Sequence, residues 1–109
     1  MPREAGLPPG TLALLILRLL DTGPLHGYAI AQRIHALSQE ELSVEEGSLY
    51  PALQKLLLNG WVKASWTTSE LGREVREYRL TATGRKQLEA ALTEYKRTSR
   101  GIALVLDNG

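Results

Sequence analysis

The chain has 109 residues and 12.0 kDa, a size for one domain around one hydrophobic core, and its 43% hydrophobic and 23% charged residues exclude disorder over the whole length. The absence of cysteine excludes disulfides, thiolate metal sites and cysteine nucleophiles, and His26 and His35, with no ligand partner at a spacing of three or four, give a metal site no support. The net charge of +1 hides an asymmetry: residues 1–60 carry four basic and six acidic side chains, residues 61–100 nine and five. The basic stretch of Lys63, Arg73, Arg76, Arg79, Arg85 and Lys86 suits phosphate, with a mixed solvated surface as the plainer meaning.

The opening MPREAGLPPG contains three prolines and an acidic residue but no apolar signal core, so it reads as an arm and not as an export signal. Leu12 to Leu20, interrupted by Arg18, falls short of the roughly 20 residues that cross a bilayer and predicts a core helix over 11–21. Thr11 is its expected cap, and Asp21-Thr22-Gly23-Pro24 its stop. A second helix over 26–38 places Ile30, Ile34 and Leu37 on one face. Ser43-Val44-Glu45-Glu46 has the spacing of a capping box and opens a third helix that ends at Asn59-Gly60. Leu49, Leu53, Leu56 and Leu57 form its buried stripe; Pro51, Gln54 and Lys55 lie opposite, with Ser48 and Tyr50 on the flanks. Pro51 crowds the carbonyl of Gly47, which means either a kinked helix or one that begins near Gly47.

Trp61–Thr67 and Val75–Leu80 read as two strands of a hairpin turning near Gly72. The register pairs Val62 with Leu80, Ala64 with Tyr78 and Trp66 with Arg76, the last as a cation–π contact. Thr81 caps a final helix from Ala82, where Leu88, Leu92, Tyr95, Ile102 and Leu106 follow heptad spacing if Ser99 fills the gap. That seam lasts about 25 residues, roughly 37 Å, longer than a small core requires. It therefore predicts a homodimer interface, packing on the chain's own core being the alternative.

Three helices, a hairpin and a long last helix give a mainly α fold with a small β-hairpin, in the order of a winged helix-turn-helix followed by a C-terminal dimerisation helix. The expected division is 1–81 for the DNA-binding part with its arm and 82–109 for the helix, in one compact unit. The third helix would enter a major groove while the hairpin, as the wing, brings its cations to phosphate. No nucleophile–base pair or paired carboxylates at a productive spacing support an enzyme. The competing function is a winged helix that binds protein without sequence-specific DNA binding.

Five ordered runs sharpen this: Gly10-Thr11-Leu12 with Leu15-Ile16-Leu17, Gly23-Pro24-Leu25-His26-Gly27-Tyr28, Gly47-Ser48-Leu49-Tyr50-Pro51-Ala52-Leu53, Gly60-Trp61-Val62, and Tyr78-Arg79-Leu80-Thr81 with Gly84. Through them the chain resembles the PadR-type transcriptional regulators, in particular the short branch without a large C-terminal domain. The resemblance implies a dimeric bacterial repressor in the cytoplasm, bound to double-stranded DNA at an inverted-repeat operator and answering a small molecule or stress, with no cofactor. It places Tyr28 near the DNA backbone, with a core tyrosine as the alternative, and Ser48, Tyr50 and Lys55 on the recognition helix, where Ser48 has a helix cap as its alternative and Gln54 shares the exposed face. Arg73 and Arg76 are assigned to the wing by charge and position. Two features depart from the pattern. Glu45 and Glu46 put negative charge at the start of the recognition helix, and Tyr95 stands where close relatives tend to carry a tryptophan, which weakens the case for stacking a flat ligand. Trp61 and Trp66 read as core and hairpin packing.

Overall fold

The structure is a computed structural model and describes residues 7, 8 and 10–109; the rest of the proline-rich arm lies outside the described residues. The elements run α1 Thr11–Leu20, β1 Leu25–His26, α2 Gly27–Leu37, α3 Glu46–Leu58, β2 Val62–Thr68, β3 Glu74–Leu80 and α4 Ala82–Asn108. This is the winged helix-turn-helix with its long last helix.

α4 starts at Ala82 behind its Thr81 cap as expected, but the caps of α1 and α3 differ from expectation. α1 is capped by Gly10, at φ 84°, with Thr11 already helical. α3 is capped by Glu45 and not by Ser43, so the capping box does not set its start. Pro51 is the sixth helical residue, one turn beyond the tolerated first positions, and the helix continues through it. At the head of α2, by contrast, the His26 ring accepts from the Ala29 amide at 3.4 Å. The turn between α2 and α3 passes through Gln39 and Glu40 at φ 55° and 66°. Ser38 Oγ ties that turn by accepting from the Leu42 amide at 3.0 Å and donating to the His35 carbonyl at 3.1 Å.

The hairpin register matches the alternation of the sequence, with Val62 opposite Leu80, Ala64 opposite Tyr78 and Trp66 opposite Arg76. β1 adds a third strand to give the order β1-β3-β2, pairing Leu25 with Tyr78 and His26 with Glu77. The expected cation–π pair is corrected: the Arg76 guanidinium lies over Tyr78, 5.9 Å from the ring centroid, while Trp66 is 69% exposed. Residues two apart on a strand share a face about 6.6 Å apart, so Tyr78 competes with the cross-strand partner for the same cation and wins by being fixed in the core. Trp61, as expected, packs against that core.

Ile16, Leu17, Ile30, Leu49, Leu53 and Val62 form the centre of the core, each 2% exposed or less. Burial of each such side chain contributes about 1.5–3 kcal/mol. Leu88 of α4 joins this cluster at 4% exposure, which corrects its assignment to a dimer seam: it is consumed inside its own chain. α4 is fixed at its start by Thr81, whose hydroxyl accepts from the Gly84 amide at 3.0 Å and donates to the Gly60 carbonyl at 2.7 Å. Its far half projects. The radius of gyration is 15.1 Å against about 13 Å for a compact chain of this length.

Candidate nucleic-acid interface

α3 turns Leu49, Leu53 and Leu56 inward, and a helix that buries one stripe leaves the opposite one to solvent. Pro51, Gln54 and Lys55 are exposed there. Leu58, 77% exposed, joins them at the C-terminal end of the helix, a residue the leucine pattern did not single out. The two flanks of α3 meet different surroundings. Ser48 and Lys55 border a cavity of about 570 Å³ that reaches α1 and α4 through Leu14, Leu17 and Gln87. Tyr50 borders a cleft of about 430 Å³ between the helices and the hairpin, which Tyr28, Trp66, Arg76 and Tyr78 also line.

Strand alternation decides which cations reach that cleft. Val62 and Tyr78 are buried on the inner face of the sheet, so Arg76, two residues from Tyr78, shares that face, while Lys63 and Arg79 stand on the other. Arg79 pairs with Glu77 at 3.6 Å. Arg85 donates to Asp21 at 3.0 Å, joining α4 to the end of α1. The basic stretch of the sequence is thus divided in space: Arg76 faces the helices, Arg73 stands exposed at the hairpin tip, and Arg79 and Arg85 have carboxylate partners. At the tip, Ser69 Oγ accepts from the Arg73 amide at 3.2 Å, and Gly72, at φ 78°, supplies the left-handed residue the turn needs.

Tyr28 is 64% exposed, so the core-tyrosine alternative is not taken up at that position; Tyr78, at 3%, is the core tyrosine. Burial pushes the Tyr78 phenol above its usual pKa of 10, with Arg76 pulling in the opposite direction, and the ring stays neutral as a floor for the cleft. The structure therefore brings Tyr28, Tyr50 and Arg76 together, keeps Gln54 and Lys55 on the open face of α3 with Ser48 on the flank whose cavity Lys55 also borders, and holds Arg73 apart at the tip. Gly27 lies within one of the five sequence runs, where spacing assigns it no role; the close approach of Tyr50 to it arises only in three dimensions.

On α4, Tyr95, Ile102 and Leu106 are 51%, 55% and 76% exposed, and Leu104 and Val105 are exposed beside them. Leu92 is half-buried. A groove of about 520 Å³ runs between the start of α1 and α4, lined by Thr11, Leu14, Ala91, Tyr95 and Ile102 among others. Among the described residues no cluster of three or more metal-ligating side chains occurs, and no helix is long and apolar enough to cross a membrane.

Residues 16–90 match the Transcriptional regulator PadR-like family. Among solved structures, a transcriptional regulator from Clostridium thermocellum is 30% identical with a TM-score of 0.79, the match covering 86% of this chain and 91% of that one. A PadR-like transcription factor from Bacteroides fragilis is 28% identical with a TM-score of 0.72, covering 88% and 90%. An uncharacterized protein X of Lysinibacillus sphaericus is 26% identical over 98 residues, 90% of each chain.

Proposed function

The chain belongs to the PadR-like family of transcriptional regulators, and on that premise we propose that it acts as a homodimeric repressor that reads an inverted-repeat operator in the bacterial cytoplasm and is released by a small molecule or stress signal. Its membership makes it a DNA-binding regulator and not an enzyme. The observation that carries the finer reading is the open face of α3, with Gln54 and Lys55 exposed, set beside a cleft lined by Tyr28, Tyr50 and Arg76. Such a face fits a major groove about 12 Å wide. The neighbouring hydroxyls and guanidinium suit the phosphates along its edge.

Lys55 is assigned to a guanine edge and Gln54 to an adjacent base, with Ser48, Tyr28 and Tyr50 holding the backbone. Arg73 at the tip neutralises phosphate, and Arg76 does so from within the cleft. Glu45 and Glu46 are exposed at the head of α3, where they suit the helix dipole; the reading has them facing away from phosphate. The second copy lies along the far half of α4, through Tyr95, Ile102 and Leu106 with Leu92 at the edge. Two-fold symmetry then sets the half-sites one helical turn, about 34 Å, apart.

Two substitutions separate these roles. Lys55→Ala is expected to weaken operator binding by about 1–3 kcal/mol and to relax preference at one base position per half-site. Arg73→Ala is expected to weaken all duplexes alike and to lower the salt slope by about one per monomer. Binding to a randomised duplex library checks both, and unchanged preference in Lys55→Ala with altered preference in Arg73→Ala would reverse the assignment. The exposed Trp66 and Leu71 of the wing, 69% and 84%, favour the second reading, a protein-binding winged helix. Affinity through such an apolar contact changes little with salt, whereas binding through several phosphates falls steeply.

A further inference from the structure

Gly27 is the first residue of α2 and is buried. A Cβ built on it would lie 2.9 Å from Tyr50 Oη, 3.0 Å from Cε1 and 3.1 Å from Cζ, well inside the 3.5–4.0 Å at which carbon atoms rest against each other. It is an ordinary helical position outside the left-handed region, so the backbone conformation alone does not call for glycine. The ring of Tyr50 does. That ring belongs to α3, yet its hydroxyl end rests on α2 over the site of the missing side chain, and Tyr50 remains 43% exposed. Tyr50, Arg76 and the buried Tyr78 line one cleft, and Arg76 is itself held over Tyr78.

Building on the DNA-binding reading above, we infer that Gly27 is a positioning residue for DNA recognition: its lack of a side chain seats the Tyr50 phenol against α2, so that Oη stands ready, in the cleft that Arg76 also lines, for one phosphate oxygen of the duplex backbone. A tyrosine fixed in this way loses little rotamer freedom on binding. Its hydroxyl donates to an anionic oxygen, the stronger class of hydrogen bond. A methyl at position 27 displaces the far end of a side chain and not a backbone segment, so the fold accommodates it while the phenol is moved from its seat.

The test is a mutant cycle read by fluorescence anisotropy on a labelled pool of random-sequence duplex DNA at low salt, a probe suited to a contact that carries no sequence information. Gly27→Ala is expected to bind at least about tenfold more weakly than the parent, as for the loss of one hydrogen bond to a charged group at each half-site. The salt slope should not change, since no cation is removed. Tyr50→Ala should lose a similar factor, and the double variant should bind no more weakly than Tyr50→Ala alone. Losses that multiply, or a silent Gly27→Ala beside a parent that binds, overturn the positioning role alone. A parent that does not bind the pool overturns the DNA reading itself, and this role with it. If Gly27→Ala fails to fold, recovery of the fold in the double variant supports the clash with Tyr50, and a double variant that also fails to fold overturns it.

Discussion

The two halves of α4 are one continuous helix with one heptad pattern, and they do opposite things. In the first half Gly84 and Leu88 are buried, and Arg85 reaches back to Asp21. In the second, Ile102, Leu104, Val105 and Leu106 are all more than half exposed. The same spacing of leucines and isoleucines thus serves a core that the chain completes for itself and a surface that it does not. Periodicity reports that a stripe is apolar and not what covers it. The 27 residues of α4 span about 40 Å, longer than the two shorter dimensions of the described structure, 33 and 21 Å.

Substitutions in the first half should show the largest losses and should act within one chain. A Cβ at Gly84 would meet the Trp61 carbonyl oxygen at the junction of hairpin and helix, and backbone cannot step aside as a side chain can. Gly84→Ala is therefore expected to cost about 3 kcal/mol or more, and Leu88→Ala about 2–5 kcal/mol. Denaturant unfolding at several protein concentrations checks both. A loss confined to the association step would place these residues in an interface and break the comparison.

Substitutions in the second half should act between chains. Ile102→Glu with Leu106→Glu introduces charges into a seam where each carries a desolvation cost of several kcal/mol. The expected product is a folded monomer with a far-ultraviolet spectrum like that of the parent, detected by sedimentation. A dimer that survives both charges would move the interface elsewhere.

How far these assignments were readable from sequence varies with the range of the interaction. The hairpin register was legible because alternation and a turn glycine are local, and Val62 opposite Leu80 follows from them. β1 was not: two residues leave no periodicity to detect, and the strand exists only because β3 offers its free edge. Of the expected caps, Thr81 holds its place at the head of α4, whereas Gly10 and Glu45 take the places given to Thr11 and Ser43. At the candidate interface, the exposed face of α3 followed from its leucines. The seating of Tyr50 on Gly27 and the stacking of Arg76 on Tyr78 depend on contacts between elements, which no spacing along the chain encodes. Leu88 shows the limit most plainly, because a core position and a seam position look identical in a heptad.

The smallest effect belongs to the tie between the first half of α4 and α1. Arg85 and Asp21 meet at 3.0 Å, but the arginine side chain is 61% exposed, and exposed pairs contribute roughly 0–1 kcal/mol. Arg85→Ala should lower stability within that range, with the difference shrinking as salt rises. A larger and salt-independent loss would mean that the arginine stem, and not its charge, holds α4 in place.

Operator reading is tested most directly by selection of bound duplexes from a randomised library, followed by titration of the winning sequence at two salt concentrations. A dimeric DNA-reading regulator should select an inverted repeat with half-sites about one helical turn apart and bind it with an affinity that drops steeply with added salt. Recovery of no preferred sequence, together with an affinity indifferent to salt, would contradict it.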